Sequence, residues 1–450
     1  MISVGVLVLL GAPLVGCGVD DSGGVFYVSS ATGNNSNSGR SPGSAFKTVT
    51  HALNFARGGA QIVIAEGVYS AATGETFPLK ASEEISAISG AGPSLTTLLD
   101  DTGGEGAVLG SWGPKEIRDL TIKRESQRSC DSCSGVSLSV RSGGKVVLAD
   151  LAFVVAQPNA WALRSEGDRD AARASIGTVE ARSLVVDGKG VGHGLAFFRF
   201  GAATLATTTI QAVVTPALFV YDVTSFDGSQ LTMGAAQTGR DPETRGNAAS
   251  IKFSKDSNTG RATLRDVTMT FAPPTDDAAF PLGIEQKFGI ELVLERARLD
   301  LSAVSRGTGL SSSAPAQLRG VVILGGSTGG AFSRGLVMRD STLQGQSRVG
   351  IIISSPHPDT AYDFGTEADP GHNKFATAGA ALADLALLRG ADIRFTEAVN
   401  VPAVGNVWSD LRTTCHAAAE LGDAPAGKHQ IVVETAAGAV MHAPGQSCKP

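Results

Sequence analysis

The segment Arg118-Asp119-Leu120-Thr121-Ile122 decides the fold, because units of the same kind return along the chain. Each unit is a short apolar strand, often introduced by Arg-Asp or Ala-Asp. The next two units are centred on Leu151 and Leu184, at intervals of 31 and 33 residues. The later copies are Ser229–Met233, Arg265–Met269, a weak Arg296–Asp300, Arg339–Leu343 and Ala383–Leu387. A unit repeated in this way signals a solenoid or a propeller, and the WD and kelch signatures of propellers are missing.

Stacking of these units explains how the chain buries its apolar residues. Each coil presents Leu, Val, Ile and Ala that it cannot bury alone, and neighbouring coils bury them in one continuous column. The polar residue before each strand sits at a turn, and we expect glycine to supply the left-handed backbone at the corners. The sequence therefore predicts an all-β chain, a right-handed parallel β-helix, in which these Asp residues are structural.

The composition fits many short strands joined by turns. The 450 residues include 56 Gly and 19 Pro, whereas aromatic residues make up 6% and charged residues 18%. Neither a helical bundle nor a disordered chain has this profile. The formal net charge of −6 argues against a nucleic-acid backbone as the partner.

The first 17 residues have the pattern of an export signal. The run from Ile2 to Val15 is almost wholly apolar but too short to span a bilayer, which fits a signal-peptide core. It ends in Leu14-Val15-Gly16-Cys17, which looks like the lipobox of bacterial lipoproteins, with Cys17 as the lipidated residue. The residue after Cys17 is Gly18 and not Asp, which by resemblance to Gram-negative lipoproteins implies outer-membrane sorting. We therefore expect an exported protein that is lipid-anchored at the outer membrane or cell surface. The alternative is an ordinary signal peptide with an incidental cysteine. Residues 1–5 carry no Lys or Arg, which departs from the usual pattern of a signal peptide.

Four further cysteines form an even set, which in an exported protein is typical of disulfides. Three pairings are open, and Cys130–Cys133 with Cys415–Cys448 is favoured because each pair is close in sequence or lies in one terminal segment. One alternative for Cys130-Asp131-Ser132-Cys133 is half a zinc site, but the sequence has no partner CxxC or HxxxH. Another is a redox motif, which would need a thioredoxin-like βαβ context.

The chain divides into a leader and one long repetitive domain with a cap at each end. The predicted segments are a signal peptide and lipobox at 1–17, a tether at 18–24, the β-helix with its N-terminal cap at 25–410 and a C-terminal cap at 411–450. Val25–Val28 is predicted as the first strand. Helical spacing from Phe46 to Ala56 predicts a short helix that caps the open end of the core. Gln430–Glu434 is predicted as a strand in the C-terminal cap.

Two blocks of sequence resemble a known bacterial family. They are Tyr27–Ser29, Ala45–Leu53, Ile62–Tyr69, Pro78-Leu79 and Ile88–Thr97 in the first block, and Asp363–Thr366, Pro370–Phe375 and Gly405–Trp408 in the second. The family is that of domain of unknown function 1565 (DUF1565), with a pectin-lyase-like β-helix, and its start resembles residues 25–100. Because this family has no settled activity, the resemblance implies fold and location more than function.

Pectin-lyase-like folds often act on polysaccharides, and cleavage requires particular groups. A lyase needs a base and carboxylates that hold Ca²⁺. Asp100-Asp101 and Asp276-Asp277 are adjacent pairs, whose members point to opposite faces of a strand, so we interpret both as solvated loop charges. A polygalacturonase needs carboxylates on both sides of the bond, and its acidic motifs are missing around Gly192-His193-Gly194.

A loop that contains Asp363, Asp369, His372 and Asn373 is a candidate ligand or metal site, since its oxygens suit Ca²⁺. The alternative, which we favour, is a turn held by Asx hydrogen bonds, with Asn373 stacked on an Asn or the backbone of a neighbouring coil. No other cofactor is expected.

The leading hypothesis is a non-catalytic surface lipoprotein whose β-helix binds a polysaccharide or another envelope component, or builds the envelope surface. Trp112, Trp161 and Trp408 are candidates for stacking on sugar rings, although we interpret Trp408 as a core or cap residue. The alternative is a polysaccharide lyase or another carbohydrate-active enzyme, which would gather three or more Asp or Glu with a Lys or Arg in one groove. We expect no nucleic-acid partner and no membrane contact except the lipid anchor. The catalytic residues of the alternative stay unassigned.

Overall fold

The structure is a computed structural model of the chain. It describes residues 23–112, 114–141, 143–169, 175–236, 249–254, 260–272, 281–287, 289–354, 361–377, 383–388, 400–402, 405–406, 415–417, 429–433, 440–443 and 446–448. Within these ranges the chain is nearly all β, with two long parallel sheets and one α-helix. The prediction of a right-handed parallel β-helix with a short N-terminal helix is confirmed.

The strands fall into two long sheets and one small one. The larger sheet contains β1 (Val25–Val28), β2 (Gln61–Ile64), β3 (Gly67–Tyr69), β5 (Ala87–Ser89), β6 (Thr96–Asp100), β8 (Glu116–Glu125), β10 (Lys145–Ala156), β13 (Thr178–Asp187), β15 (Ala202–Val214), β17 (Ser225–Ala236), β19 (Gly260–Phe271), β21 (Ile290–Glu295), β22 (Arg298–Leu301), β24 (Ala316–Arg319), β25 (Val322–Gly325), β27 (Leu336–Arg339), β28 (Thr342–Gln344), β30 (Tyr362–Asp363) and β31 (Lys374–Ala376). The second sheet contains β4 (Leu79–Ala81), β7 (Ala107–Ser111), β9 (Ser134–Val140), β11 (Trp161–Arg169), β12 (Ser175–Ile176), β14 (His193–Phe198), β16 (Leu218–Tyr221), β18 (Ala249–Ser254), β20 (Leu282–Gln286), β23 (Thr308–Ser312), β26 (Thr328–Phe332), β29 (Val349–Ser354), β32 (Ala383–Leu388), β34 (Cys415–Ala417) and β35 (His429–Val433). The small sheet contains β33 (Asn400–Pro402), β36 (Val440–Ala443) and β37 (Gln446–Cys448).

The larger sheet bends along a line of left-handed residues. Its strands from β8 to β19 run through the bend without a break, whereas later coils split there into pairs such as β21 and β22. The residues at the bend are Asp119, Asp150, Ser183, Thr207, Gln230, Asp266, Arg296, Gly320, Asp340 and His372. A complete coil therefore has three strands, two in the larger sheet on either side of the bend and one in the second sheet.

The prediction that glycine supplies the left-handed corners is wrong for this bend, where Gly320 is the single glycine in the series. The other residues have φ angles from 48° at Thr207 to 59° at Asp119. This conformation costs an L-residue about 1–2 kcal/mol, and Asp tolerates it better than most because its short side chain can bond nearby backbone. Hydrogen bonds between coils stabilise this backbone conformation. For example, Asp340 N donates to Gly371 O at 2.8 Å.

The recurring sequence unit marks this bend, and its copies from Arg118 to Leu343 are confirmed there. The pattern misses two coils, whose bends lie at Thr207 and Gly320. The copy at Ala383–Leu387 is wrong, since β32 pairs with β29 in the second sheet and the bend of that coil lies at His372. Inward apolar residues alternate in the same way on every side of the coil, so the pattern alone does not tell the sides apart.

The inward residues stack in columns that run the length of the helix. One column in the larger sheet comprises Ile122, Phe153, Val186, Ile210, Met233, Met269, Leu299, Ile323, Leu343 and Phe375, paired in register from coil to coil. All of them are buried in one continuous apolar core. Each such side chain contributes about 1.5–3 kcal/mol when removed from water, so the core rather than any single coil stabilises the fold.

The N-terminal cap is confirmed as α1 (Val49–Phe55), which lies inside the predicted range. Thr48 begins the helix, and its side chain accepts a hydrogen bond from His51 N at 3.2 Å. Val49, Ala52 and Leu53 turn their side chains into the core. The helix therefore covers the first coil, as repeat folds require at their ends.

At the other end, the predicted strand Gln430–Glu434 is confirmed as β35, which pairs with β32. Cys17 with the signal peptide, Asp276-Asp277 and Trp408 lie outside the described residues. The backbone of Cys415 and Cys448 is described but their side chains are not, so their pairing stays a prediction. No helix among the described residues is long and apolar enough to cross a membrane.

Candidate functional site

The outer face of the second sheet carries residues that a solvent-facing sheet would not be expected to carry. Its strands pair in the order β9, β11, β14, β16, β18. Side chains alternate along each strand, so those between the inward residues point outward. Two outward columns follow from the register, the first being Ser137, Arg164, Ala196, Phe219 and Lys252, and the second Ser139, Glu166, Phe198, Tyr221 and Ser254.

Four aromatic residues on this face, Trp161, Phe198, Phe219 and Tyr221, form what we call the aromatic cluster. The cluster is separate from the main core. The ring centroids of Phe198 and Phe219 are 5.4 Å apart in an edge-to-face arrangement, and Tyr221 lies 6.2 Å from each of them. Trp161 and Phe219 are buried, whereas Phe198 and Tyr221 are partly exposed. The buried rings therefore support two aromatic surfaces that a ligand can reach.

Charged groups lie against the cluster. The guanidinium carbon of Arg164 is 5.2 Å from the Phe198 ring centroid, and Lys252 Nζ is 5.2 Å from that of Phe219. Glu166 pairs with Arg199 at 2.8 Å. Cation–π contacts at these distances are attractive and hold the cations beside the rings. The face thus combines ring surfaces with positive charge.

His193 lies beside the aromatic cluster, and no group of acidic residues among the described residues surrounds it. The centroid of its ring lies 4.8 Å from that of Trp161, with the two rings tilted by 33°, and its Nδ1 is 3.4 Å from Val214 O. The flanking glycines have a packing role, since a Cβ on Gly194 would lie 1.9 Å from Ala217 O. The Gly-His-Gly sequence is therefore explained by close approach of neighbouring coils.

Sequence reasoning singled out Trp161 but missed Phe198, Phe219 and Tyr221. They occur in strands that read as fully apolar, and only the register between coils shows that they share an outward face. The sequence signal that could have revealed them is an aromatic residue at a strand position where strict alternation predicts a polar residue. Trp112, also singled out, lies directly after β7 and is exposed.

The loop predicted as a ligand or metal site is organised around Arg339. Its Nη2 lies 2.7 Å from Asp363 Oδ2, and its Nε lies 2.8 Å from Asp369 Oδ2. Burial by itself lowers the pKa of Arg339, but the hydrogen bonds and charges of the two carboxylates outweigh it and raise the pKa above its ordinary value. Both carboxylates are thus engaged by one cation.

Asn373 is fully buried and holds the same loop together. Its Nδ2 donates to Met338 O at 2.9 Å and to Asn406 Oδ1 at 2.9 Å, and its Oδ1 accepts from Ser341 N at 3.1 Å. His372 occupies the left-handed bend and is exposed. These contacts match the turn that we favoured from the sequence, with Asn373 bonded to an Asn and to the backbone of a neighbouring coil. Among the described residues no three His, Cys, Asp or Glu come together as a metal site, and Ca²⁺ binding stays a prediction.

The disulfide Cys130–Cys133 is confirmed, with the Cα atoms 5.4 Å apart. Beneath it lies Arg124, whose Nη2 is 3.3 Å from Cys133 Sγ and whose Nη1 is 3.2 Å from Asp100 Oδ2. The interpretation of Asp100 as a solvated charge is wrong, because it ends β6 facing inward and is buried against this arginine; Asp101 is exposed. Burial lowers the pKa of Arg124, and the charge of Asp100 offsets only part of that effect.

Comparison with known proteins supports the resemblance of the N-terminal part. Residues 31–99 match the family described as "Protein of unknown function (DUF1565)". No curated protein matches the chain. The family match covers the capping helix and the first coils, and it leaves the second sheet's aromatic cluster outside.

Among solved structures, the chain is similar to several β-helical proteins. A GH136 lacto-N-biosidase from Eubacterium ramulus has 11% identity and a TM-score of 0.38, over 91% of this chain and 67% of that chain. The catalytic domain of an alanine-substituted variant of a GH87 alpha-1,3-glucanase in complex with nigerose has 12% identity and a TM-score of 0.39, over 87% of this chain and 67% of that chain. The A-module of a mannuronan C-5 epimerase from Azotobacter vinelandii has 12% identity and a TM-score of 0.30, over 86% and 92%. Similarity this distant assigns no activity to this chain.

Proposed function

We propose that the protein is an exported, lipid-anchored β-helix that binds a polysaccharide on the outer face of its second sheet, without cleaving it. The observation that carries the proposal is the aromatic cluster on that face. Phe198 and Tyr221 offer partly exposed ring surfaces, and the buried rings of Trp161 and Phe219 fix them in place.

The chemistry of the cluster suits a sugar. A pyranose ring has an apolar face that packs on an aromatic ring and hydroxyls that bond to nearby polar groups. Arg164 and Glu166 lie in the two columns beside Phe198 and supply such groups. Rigid aromatic side chains offer large contact area at low entropic cost, which is why they suit a preformed binding surface.

The position of the cluster also argues for binding. On a sheet with one solvated face, alternation normally places polar residues outside. Aromatic residues in adjacent outward positions expose apolar surface, and contiguous patches of that kind mark interaction sites. The main core does not need these rings, because the cluster is separate from it.

The test measures binding of a glycan panel to the full chain in detergent by calorimetry. Phe198→Ala removes one stacking surface, and we expect affinity for the bound glycan to fall about tenfold, or about 1.4 kcal/mol. Val185→Ala is the matched control, since Val185 is 47% exposed on the larger sheet. Equal affinities of the two variants, or no binding of any glycan by the wild type, would overturn the proposal.

The same samples test whether the protein cleaves what it binds. A lyase leaves unsaturated uronate ends that absorb in the ultraviolet. New absorbance that a chelator abolishes would replace the non-catalytic proposal with the lyase alternative. A constant signal with wild-type binding intact is the outcome that we expect.

Lipid anchoring is tested separately. The apolar run from Ile2 to Val15 and the Leu14-to-Cys17 lipobox support it. We expect wild-type protein to incorporate labelled fatty acid in a bacterial host and to partition with membranes, and Cys17→Ser to lose both. Labelling that persists in Cys17→Ser would contradict lipidation at this residue.

A further inference from the structure

A second aromatic surface lies on the same face as the aromatic cluster, at Trp112. This residue follows β7 directly and is 55% exposed, which is unusual for so large an apolar side chain. The guanidinium carbon of Arg141, just after β9, is 3.9 Å from the centroid of its ring. Trp112 and Arg141 form what we call the distal pair.

The register places the distal pair in line with the cluster. Ser111 pairs with Leu138, and the pairing continues inward through Ser165, Phe197 and Val220. The next residue along each strand points outward. The outward column is therefore Trp112, Ser139, Glu166, Phe198 and Tyr221. Three strand spacings separate Trp112 from Phe198, or roughly 14 Å along the axis of the helix.

Arg141 and Arg164 differ from several cations on the larger sheet. There, several exposed arginines are matched by acids, as in Arg265–Asp227 at 2.9 Å and Arg296–Asp266 at 2.7 Å. Arg141 and Arg164 instead lie against aromatic rings, and no carboxylate of the described residues pairs with either guanidinium. Among the described residues, the line from the distal pair to the cluster thus has two guanidinium groups that no carboxylate neutralises.

We propose that the distal pair is a second subsite for one linear glycan, which lies lengthwise across the coils and carries carboxylates that Arg141 and Arg164 bind. This inference rests on the proposed function and adds the orientation and charge of the ligand. One sugar unit stacks on Trp112 and another on Phe198, and the sugar units between them pass over Ser139 and Glu166. Glu166 does not repel an anionic chain strongly, because Arg199 neutralises it at 2.8 Å. A guanidinium suits this role because it binds a carboxylate by two parallel hydrogen bonds and stays flat on a ring.

The experiment varies the length of the glycan. Calorimetry on the full chain in detergent compares a disaccharide and an octasaccharide of galacturonate and of mannuronate, with cello-octaose as the neutral probe of equal length. We expect at least one of the two acidic octasaccharides to bind wild type about tenfold more tightly than cello-octaose and than its own disaccharide. Trp112→Ala should remove most of the gain with length and leave disaccharide binding unchanged, whereas Trp112→Phe should keep most of it. Arg141→Gln should weaken binding of the acidic octasaccharide and flatten its dependence on salt.

A second readout is independent of affinity. Trp112 is exposed, so a sugar stacked on it should shift indole emission on addition of the acidic octasaccharide, and Trp112→Phe should abolish that shift. Circular dichroism of each variant checks that the exposed substitutions leave the fold intact.

The outcomes separate the two proposals. If Phe198→Ala weakens binding but Trp112→Ala and Arg141→Gln leave the octasaccharide affinity unchanged, the second subsite is refuted and the proposed function stands. Tighter binding of cello-octaose than of both acidic chains refutes the anionic ligand. Absence of wild-type binding to every glycan removes the proposed function and this inference with it.

Discussion

Replacing Glu75 by glutamine tests how the N-terminal cap is held on the first coil. The carboxylate of Glu75 is buried, 6% exposed, at the start of α1. Its Oε1 accepts from Val49 N at 2.8 Å, and its Oε2 accepts from Thr50 N at 2.8 Å and from Thr50 Oγ1 at 2.7 Å. Glutamine has the same shape, but its amide nitrogen donates and would face one of these donors.

The size of the effect follows from the bonds lost. A hydrogen bond to a charged group contributes about 1.5–3 kcal/mol net, and a buried donor left without a partner adds to the loss. Removing a negative charge from a helix N-terminus costs a further 0.3–1 kcal/mol, approximately. Because the side-chain oxygen of glutamine can still accept a hydrogen bond, only part of these interactions is lost. Glu75→Gln should therefore lower the free energy of unfolding of the cap by about 2–4 kcal/mol.

The assay must see the cap as well as the whole chain, because the ends of a repeat fold can open locally. Hydrogen exchange of Ala52 N and Ala56 N, which donate within the helix, reports the cap, and urea unfolding reports the coils. The control is Glu84→Gln, whose half-exposed carboxylate lies 3.9 Å from Arg57 and should contribute under about 1 kcal/mol. Equal protection of the helix amides in the two variants would refute the role given to Glu75.

Two further predictions concern charge inside and outside the coils. Arg124→Met should lower the free energy of unfolding by about 3–5 kcal/mol, because it leaves the buried carboxylate of Asp100 without its cation. In urea unfolding, the double variant Arg124→Met with Asp100→Asn should lose less stability than the sum of the two single variants. Strictly additive losses would count against an interaction between Arg124 and Asp100. Hydrogen bonds from Ser302 and the nearby Arg298 lower the pKa of Asp300 below its ordinary value of 3.8. Asp300 therefore stabilises the fold above that ordinary value and loses this contribution as the pH falls through its lowered pKa, so Asp300→Asn should be less stable than wild type at neutral pH and equal to it in strong acid. A difference that persists in acid would rule out the charge as its cause.

Much of the fold is readable in the sequence because the coils repeat one physical requirement. Apolar residues at alternate positions and a polar residue before the strand predict the β-helix, and the helical spacing near Leu53 predicts the cap. The left-handed bend is harder to predict, because Thr207 and Gln230 adopt it although neither residue type favours it. Tertiary hydrogen bonds between coils impose that conformation, and a pattern within one coil does not contain them.

The candidate site was only partly predictable, because it depends on register rather than on spacing. Phe198 and Tyr221 are 23 residues apart in sequence, yet they are neighbours on adjacent strands. Coil lengths vary with the loops, so a fixed period cannot align outward positions. The loop at Asp363 was visible because its polar residues are close in sequence, and the structure accounts for it through Arg339 and the buried Asn373.

The same geometry that hides the site in the sequence explains why a β-helix would suit a long ligand. Parallel strands repeat at about 4.8 Å, so outward residues of one column form a straight line along the axis. A chain-like ligand that lies along this line can meet Trp112 and Phe198 at once, whereas a compact ligand meets one of them. Gain of affinity with ligand length is therefore the property that distinguishes this arrangement from a single aromatic pocket. Each contact contributes a modest binding free energy. The sum of the contacts over several coils, rather than one tight site, would therefore set the affinity.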